Sequence, residues 1–514
     1  MKKRKGLFTY LVILICIIAG VFSICLAIMV LAPGTKLAGF AFGKINLPET
    51  VYGLLDEEGY MHDRVYFESR GIPVTEADRL TNLDVSQIII NGGAHNVQVR
   101  HLAQTTSNDI TFTIRSMYSG IYKVKDNPNA LDFSIKYDKD TKTISLDYLM
   151  PNGLNFNAYG EIVVNLPQHY EQLAASVDSG SLTGDHTSLQ ITTTTGSVNL
   201  GGSQPVGYDL KASAMQNVDV KTKKGSITLN QMFRPYGESL SLVSESGEIS
   251  VQKTIKQKDM VVSINSGSGK VDFAEKEADL LVKELNIETK KADFKFNNIS
   301  LFSNEKALNW NGSSGRLIAK SVDGSIFGGP ECFRTNFDID QVSGQFFLPN
   351  GDYCDVNIDK VDGKVEIRAK NSNITIKNCP STIFITTSKG NVNLDNCTNS
   401  QSIDAGNATV NLTKCSGSFN IKTNKGTINA EIIDLSGKDN KLVSERSKVN
   451  VKFSQNLAFN LTAQSSRKNV SLEVASISEN AEKFEDKLIN GGNPEKANNI
   501  SARKDITLRN LEVA

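Results

Sequence analysis

From about Asp178 to the C-terminus, apolar and polar residues alternate in short runs, a glycine-bearing turn before one run and another turn before the next. Thr195-Gly196-Ser197, Lys224-Gly225-Ser226, Asp323-Gly324-Ser325, Asp362-Gly363-Lys364 and Lys425-Gly426-Thr427 are examples. Many of these glycines lie roughly 16 to 29 residues apart, the self-similarity of a solenoid. Glycine suits such turns because it accepts positive φ. Period-two alternation predicts half-buried strands. A unit this short cannot bury its own apolar face, so successive units must stack. The fold class expected is all-β: a right-handed β-solenoid, or β-helix-like stack of short strands, preceded by one N-terminal transmembrane helix.

The cleanest register lies in the C-terminal half. Ile374-x-Ile376-x-x-Cys379, Val392-x-Leu394-x-x-Cys397 and Val410-x-Leu412-x-x-Cys415 are one phrase repeated at equal intervals. The two aliphatic residues share a strand face, but the cysteine falls on the opposite parity. All three can face inward only if the chain bends just before the cysteine, which predicts a corner there. Before the repeats, residues 83–177 carry longer alternating runs, including Ile110-x-Phe112-x-Ile114 and Ile144-x-Leu146. They are expected to form a β-rich entry cap that covers the open end of the solenoid at 178–478. In the exit cap at 479–514, the segment from Glu479 has the residue types of a short helix or loop excursion, and Gly491-Gly492 returns the chain to a final strand.

The N-terminus changes the picture. Leu7 to Ala32 is an unbroken uncharged run, about 39 Å long as a helix and so enough to span a ~30 Å hydrocarbon core. It exceeds the usual apolar region of a cleaved signal peptide. Lys2, Lys3, Arg4 and Lys5 are expected to stay cytoplasmic, making 1–6 a short tail and 7–32 an uncleaved anchor. Residues 33–82 read as a juxtamembrane linker with room for a short helix, and the rest of the chain is expected outside the cell membrane.

Lys+Arg and Asp+Glu each number 56 among 514 residues, so no basic face argues for nucleic acid. The five histidines, His62, His95, His101, His169 and His186, all precede the repeated C-terminal half. No nucleophile elbow, phosphate loop or zinc-protease motif occurs. Asp338-Ile339-Asp340 places two carboxylates on one strand face, the one pair that a polysaccharide-processing enzyme could use. A solvated strand face is the plainer account. Ser266-Gly267-Ser268-Gly269-Lys270-Val271-Asp272 is a single degenerate version of a calcium-binding turn, and such sites need tandem neighbours. No cofactor or metal is read from the sequence. Asn298-Ile299-Ser300, Asn373-Ile374-Thr375 and Asn411-Leu412-Thr413 read as turn and strand-face composition.

Beyond the anchor, the cysteines are Cys332, Cys354, Cys379, Cys397 and Cys415, an odd number that cannot all pair internally. Stacked coils about 4.8 Å apart lie within reach of a disulfide. Two readings stand for Cys379, Cys397 and Cys415: a bond between two of them in an oxidising exterior, or an inward ladder of reduced thiols acting as small hydrophobes.

The chain resembles the adhesin-like family of bacterial β-strand repeat proteins, a family of largely unknown function. The matching residues are Ile90-Asn91-Gly92-Gly93-x-x-Asn96-Val97-x-Val99, Ile162-Val163-Val164-Asn165-Leu166-Pro167, and units such as Thr195-Gly196-Ser197-Val198. The resemblance runs from about Leu83 to the end and transfers no catalytic residue. It implies a non-enzymatic adhesin-like or envelope scaffold surface, whose partner would be a cell-wall glycan or surface protein. The alternatives are the β-helix enzyme above and an envelope-stress sensory ectodomain acting through a partner.

Overall fold

The computed structural model describes residues 64–72, 85–104, 110–122, 133–148, 153–179, 187–205, 207–273, 279–302, 307–330, 332–437, 439–466, 470–474, 477–489 and 496–510. The expected tail, anchor and first part of the linker lie outside these residues. Among the described residues no helix is long and apolar enough to cross a membrane. The chain divides into two compact units, Met1–Met215 with Val220–Gly225, and Gln216–Asp219 with Ser226–Ala514. Both are built from stacked, mostly parallel β-strands.

In the first unit the stacking order departs from the chain order. Gln87–Gly93 lies between Thr143–Tyr148 on one side and Ser188–Thr193 on the other, parallel to both. Asn96–Leu102 is held in the same way between Gly153–Leu166 and Val198–Leu200. Ile88, Ile144 and Leu189 form one inward column, and Val97, Ile162 and Val198 another, all buried. The segment expected only to cap the solenoid therefore supplies rungs of its own, and stacking begins well before residue 178. The cap proper is antiparallel: Phe133–Asp138 covers Thr143–Tyr148, and Ile110–Tyr122 runs along Gly153–Leu166. Arg64–Ile72, in the stretch read as linker, is a strand that covers Ile110–Tyr118. Period-two strands in reverse sense can pair on the outer edge without demanding another rung beyond them.

The helix His169–Ser179 was not foreseen. It follows Pro167, whose carbonyl accepts the Tyr170 amide at 3.1 Å. It buries Tyr170, Leu173 and Ala174. The Tyr170 hydroxyl donates to Thr187 Oγ1 at 3.2 Å, and burial pushes the phenol up to about 12.

The second unit carries one register from Val271 through Phe294, Leu317, Phe337, Val356, Ile374, Val392, Val410 and Ile428 to Val449. The step is longest at the start of this column, from Val271 to Phe294 and on to Leu317. It shortens to a constant value over the four steps from Val356 to Ile428. The long coils hold an aromatic core: Phe294 to Trp310 at 5.2 Å, Trp310 to Phe337 at 6.0 Å and Phe337 to Phe346 at 5.3 Å. The short coils are filled mainly by Ile, Val, Leu and Cys, with Phe419 the one buried ring among them.

The recurring glycines have a steric cause. A Cβ on Gly363 would lie 2.2 Å from the Gly344 carbonyl oxygen, and one on Gly344 would lie 2.5 Å from that of Gly324. Turn sits directly on turn, and only hydrogen fits between. Positive φ, expected at these turns, belongs instead mostly to other corners.

At the C-terminal end the chain again departs from serial order. Ala497–Ala502 lies parallel between Asn440–Ser444 and Phe459–Ser465. Ile506–Asn510 lies between Val449–Phe453 and Val470–Val474. The final strand is an interior rung, not the outer edge that the exit cap at 479–514 implied. The expected helix or loop excursion is two further strands. Ile477–Ala481 and Lys483–Ile489 pair antiparallel to the outermost rung and close it.

Candidate functional site

The outward positions of the Val271–Val449 register form a second column beside it. It runs from Asp272 through Lys295, Ile318 and Asp338 to Asn357, and on to Asn450. Its later part is an amide ladder. Asn411 Nδ2 donates to Asn393 Oδ1 at 2.8 Å, Asn429 to Asn411 at 2.9 Å and Asn450 to Asn429 at 2.8 Å. Asn393 donates in turn to Thr375 Oγ1 at 3.4 Å. Parallel rungs at constant register place identical side chains at the rung spacing, so each amide meets its neighbour without distortion. An amide carries two N–H donors and an oxygen with two lone pairs. Asn393, Asn411 and Asn429 each use one donor for the rung below and one lone pair for the rung above, leaving hydrogen-bonding capacity toward solvent. Of the asparagines noted in Asn-x-Thr triplets, Asn411 is a strand-face residue, whereas Asn373 precedes the strand Ile374–Lys377 and donates to Asp355 at 3.1 Å.

At the head of this column the surface opens into a groove of about 590 Å³. Asp272, Asp338 and Asp340 line it with Lys295 and Lys320, over an apolar floor of Phe273, Phe296 and Ile318. The rings of Phe273 and Phe296 lie 4.4 Å apart. Asp338 and Asp340 do share one exposed strand face, with Phe337 and Ile339 buried behind them. The structure brings to this pair what the sequence could not locate: an aspartate and two lysines from preceding coils. Asp338 Oδ1 accepts from Asn357 Nδ2 at 2.9 Å, and Asn357 is the register partner of Thr375, at the foot of the amide ladder. An apolar floor with a polar rim is the composition of a small-ligand site, and the volume falls within the usual range of about 300 to 1,000 Å³. Among the described residues no cluster of three or more His, Cys, Asp or Glu could hold a metal ion. The Ser266–Asp272 turn closes on its own groups: Ser266 Oγ donates to the Gly269 carbonyl at 2.8 Å, and Lys270 Nζ reaches Asp272 at 2.7 Å.

Cys379, Cys397 and Cys415 meet at one buried corner. Each follows a left-handed residue: Asn378 at φ 49°, Asn396 at 52° and Lys414 at 50°. That is the bend required by parity, and asparagine suits it because its short polar side chain tolerates this region. The three sulfurs carry no disulfide in this structure, and Cys332 and Cys354 are also unbonded and buried. Thiols point at carbonyls of the stack, Cys397 to Ile376 at 3.8 Å and Cys415 to Leu394 at 3.6 Å. Burial pushes the Cys332 thiol up to about 12 and that of Cys379 to about 11. The contact between Cys397 and Cys415 raises the former and lowers the latter.

The histidines form no site among the described residues. His101 is buried, donates from Nδ1 to the Leu166 carbonyl at 2.7 Å, and has Nε2 3.3 Å from Glu171. His95 is buried against the Gly92 carbonyl, and desolvation holds its imidazole below the ordinary value. His62 and His186 lie outside the described residues.

Stacked parallel rungs with capped ends and an outward polar column define a β-solenoid repeat domain. The chain belongs to the Toastrack DUF4097 family, whose model matches residues 85–508. No curated protein and no solved structure matches it.

Proposed function

We propose that this chain is a non-enzymatic, adhesin-like binding surface or scaffold of the cell envelope. In this reading Leu7–Ala32 holds it to the membrane as a single-pass anchor, with the N-terminus cytoplasmic and the solenoid extracytoplasmic. The partner is a cell-wall glycan or a surface protein that spreads along the amide ladder and seats one group in the groove. The observation that carries this reading is the ladder itself, which lies in the same outward column as Asn357 and the groove residue Asp338. Evenly spaced amides offer many weak hydrogen bonds in fixed register, each worth about 1 kcal/mol or less at an exposed site. Such a surface suits a repeating polymer, since binding adds along its length. Half-buried Ile318, backed by the buried Phe273 and Phe296 rings, supplies apolar contact for a sugar ring.

The full-length chain in detergent should co-sediment with purified cell-wall polymer or retain a surface protein on a column. Replacing Lys320 and Asp340 by alanine should weaken that retention without unfolding the domain, because both are exposed. Retention of neither material by the intact protein would refute the proposal. So would a protease-accessible C-terminus on the cytoplasmic side of sealed vesicles.

A further inference from the structure

A second concavity, of about 430 Å³, lies at a corner of the same unit and shares no lining residue with the groove. Lys270, Lys291, Arg316 and Arg334 line it, and Asp293 is the one acidic residue among its walls. Lys270 is already matched, by Asp272 at 2.7 Å and Glu248 at 3.7 Å. Among the described residues, Lys291, Arg316 and Arg334 make no ion pair within 4.0 Å. A chain with balanced charge has therefore concentrated unmatched cations at one corner, against their mutual repulsion.

The corner positions beside this cavity also break the local rule. Arg334, Tyr353 and Asn371 occupy equivalent turns on successive coils, all left-handed, at φ 50°, 55° and 50°. Asparagine is the residue that suits this conformation, and Asn371 follows suit. Arg334 and Tyr353 accept a less favourable backbone, yet neither side chain is buried in return. Arg334 instead lies over the Phe333 ring at 5.0 Å and the Tyr353 ring at 6.0 Å. The two rings meet edge to face at 5.8 Å, with Phe333 37% and Tyr353 51% exposed. Lys414 takes the same conformation at another exposed corner, so what sets this one apart is the pair of exposed rings beside the unmatched cations.

We infer that this corner binds an anionic polysaccharide, a sugar chain carrying carboxylate or phosphate groups. The guanidinium groups of Arg316 and Arg334 offer paired donors to an oxyanion, and Lys291 adds charge. Tyr353 and Phe333 offer an exposed aromatic surface on which the neighbouring sugar ring rests. The corner stands on different residues from the groove, so neither reading falls with the other.

The test is a binding titration of the full-length protein in detergent, with polygalacturonate as the carboxylate polymer, phosphomannan as the phosphate polymer, and neutral dextran and ringless polyphosphate as controls. At least one of the first two should bind, more weakly as salt rises. The Lys291→Gln, Arg316→Gln double variant should lose at least tenfold in affinity. Arg334→Asn and Tyr353→Asn supply the residue the backbone prefers, so each should keep or raise the melting temperature while weakening the sugar polymers fivefold or more. Polyphosphate should bind weakly and ignore Tyr353→Asn. Dextran binding as tightly as the charged polymers would overturn the assignment. A twofold or smaller effect of the double variant would do the same. Polyphosphate equalling the sugar polymers, with Tyr353→Asn silent towards all, would reduce the corner to a bare charge patch and also overturn it.

Discussion

Leu394 is the sharpest probe of the stacked architecture. It is 1% exposed and lies in register between Ile376 below and Leu412 above. Leu394→Ala removes three carbons, worth about 2.4 kcal/mol at roughly 0.8 kcal/mol each. A cavity term adds to this, because parallel pairing on both sides prevents the strand from moving in to fill the space. A total of about 3 to 4 kcal/mol follows, inside the usual span of about 2 to 5 for such a truncation. In a stack each rung is stabilised chiefly by its neighbours, so the loss should remain local. Hydrogen exchange read by mass spectrometry should show amides of residues 374–417 opening about 100-fold or more faster. Amides of residues 285–320 should change less than twofold. Equal acceleration everywhere would refute nearest-neighbour stacking, and a change below about tenfold at 374–417 would refute the packing argument.

Gly363→Ala places a Cβ 2.2 Å from the Gly344 carbonyl oxygen and should destabilise by about 1 to 3 kcal/mol, read as a lower denaturation midpoint. Buried thiols give a pH signature. Because the Cys332 and Cys379 values are raised to about 12 and about 11 from an ordinary value near 9, the fold keeps their contribution below pH 9 and loses it as pH climbs towards 12. A Cys332→Ala, Cys379→Ala variant should flatten that decline, and an unchanged slope would contradict it. Truncation after residue 495 removes two interior rungs, so Phe459–Ile489 should become protease-sensitive along with Asn440–Phe453. Resistance of both segments would contradict the observed strand order.

The parts legible in sequence are those set by local chemistry. Period two gave the strands, and opposite parity at Cys379, Cys397 and Cys415 gave the bend that Asn378, Asn396 and Lys414 now supply. The Asp338–Asp340 face was legible for the same reason. Its partners were not, since Asp272, Lys295 and Lys320 reach it only through unequal coil lengths that no local pattern announces. Strand order at the two ends was hidden more deeply. Ile144, Ile506 and their neighbours alternate like any other rung, and nothing in alternation says which strand a rung will pair with. The helix His169–Ser179 was missed because it lacks a Ser, Thr, Asp or Asn cap, its only start signals being Pro167 and an early Glu171.

The interleaving of the terminal rungs bears on how such a domain can change over generations. Neither end of the stack is free to grow by simple appendage, because Ala497–Asn510 is wedged between two earlier coils and Gln87–Leu102 between later strands. The uniform coils between Val356 and Ile428 carry no such constraint. Duplication or loss of one module there, such as Asn393 to Val410, would lengthen or shorten the display surface by a single step of about 4.8 Å and leave both locks untouched.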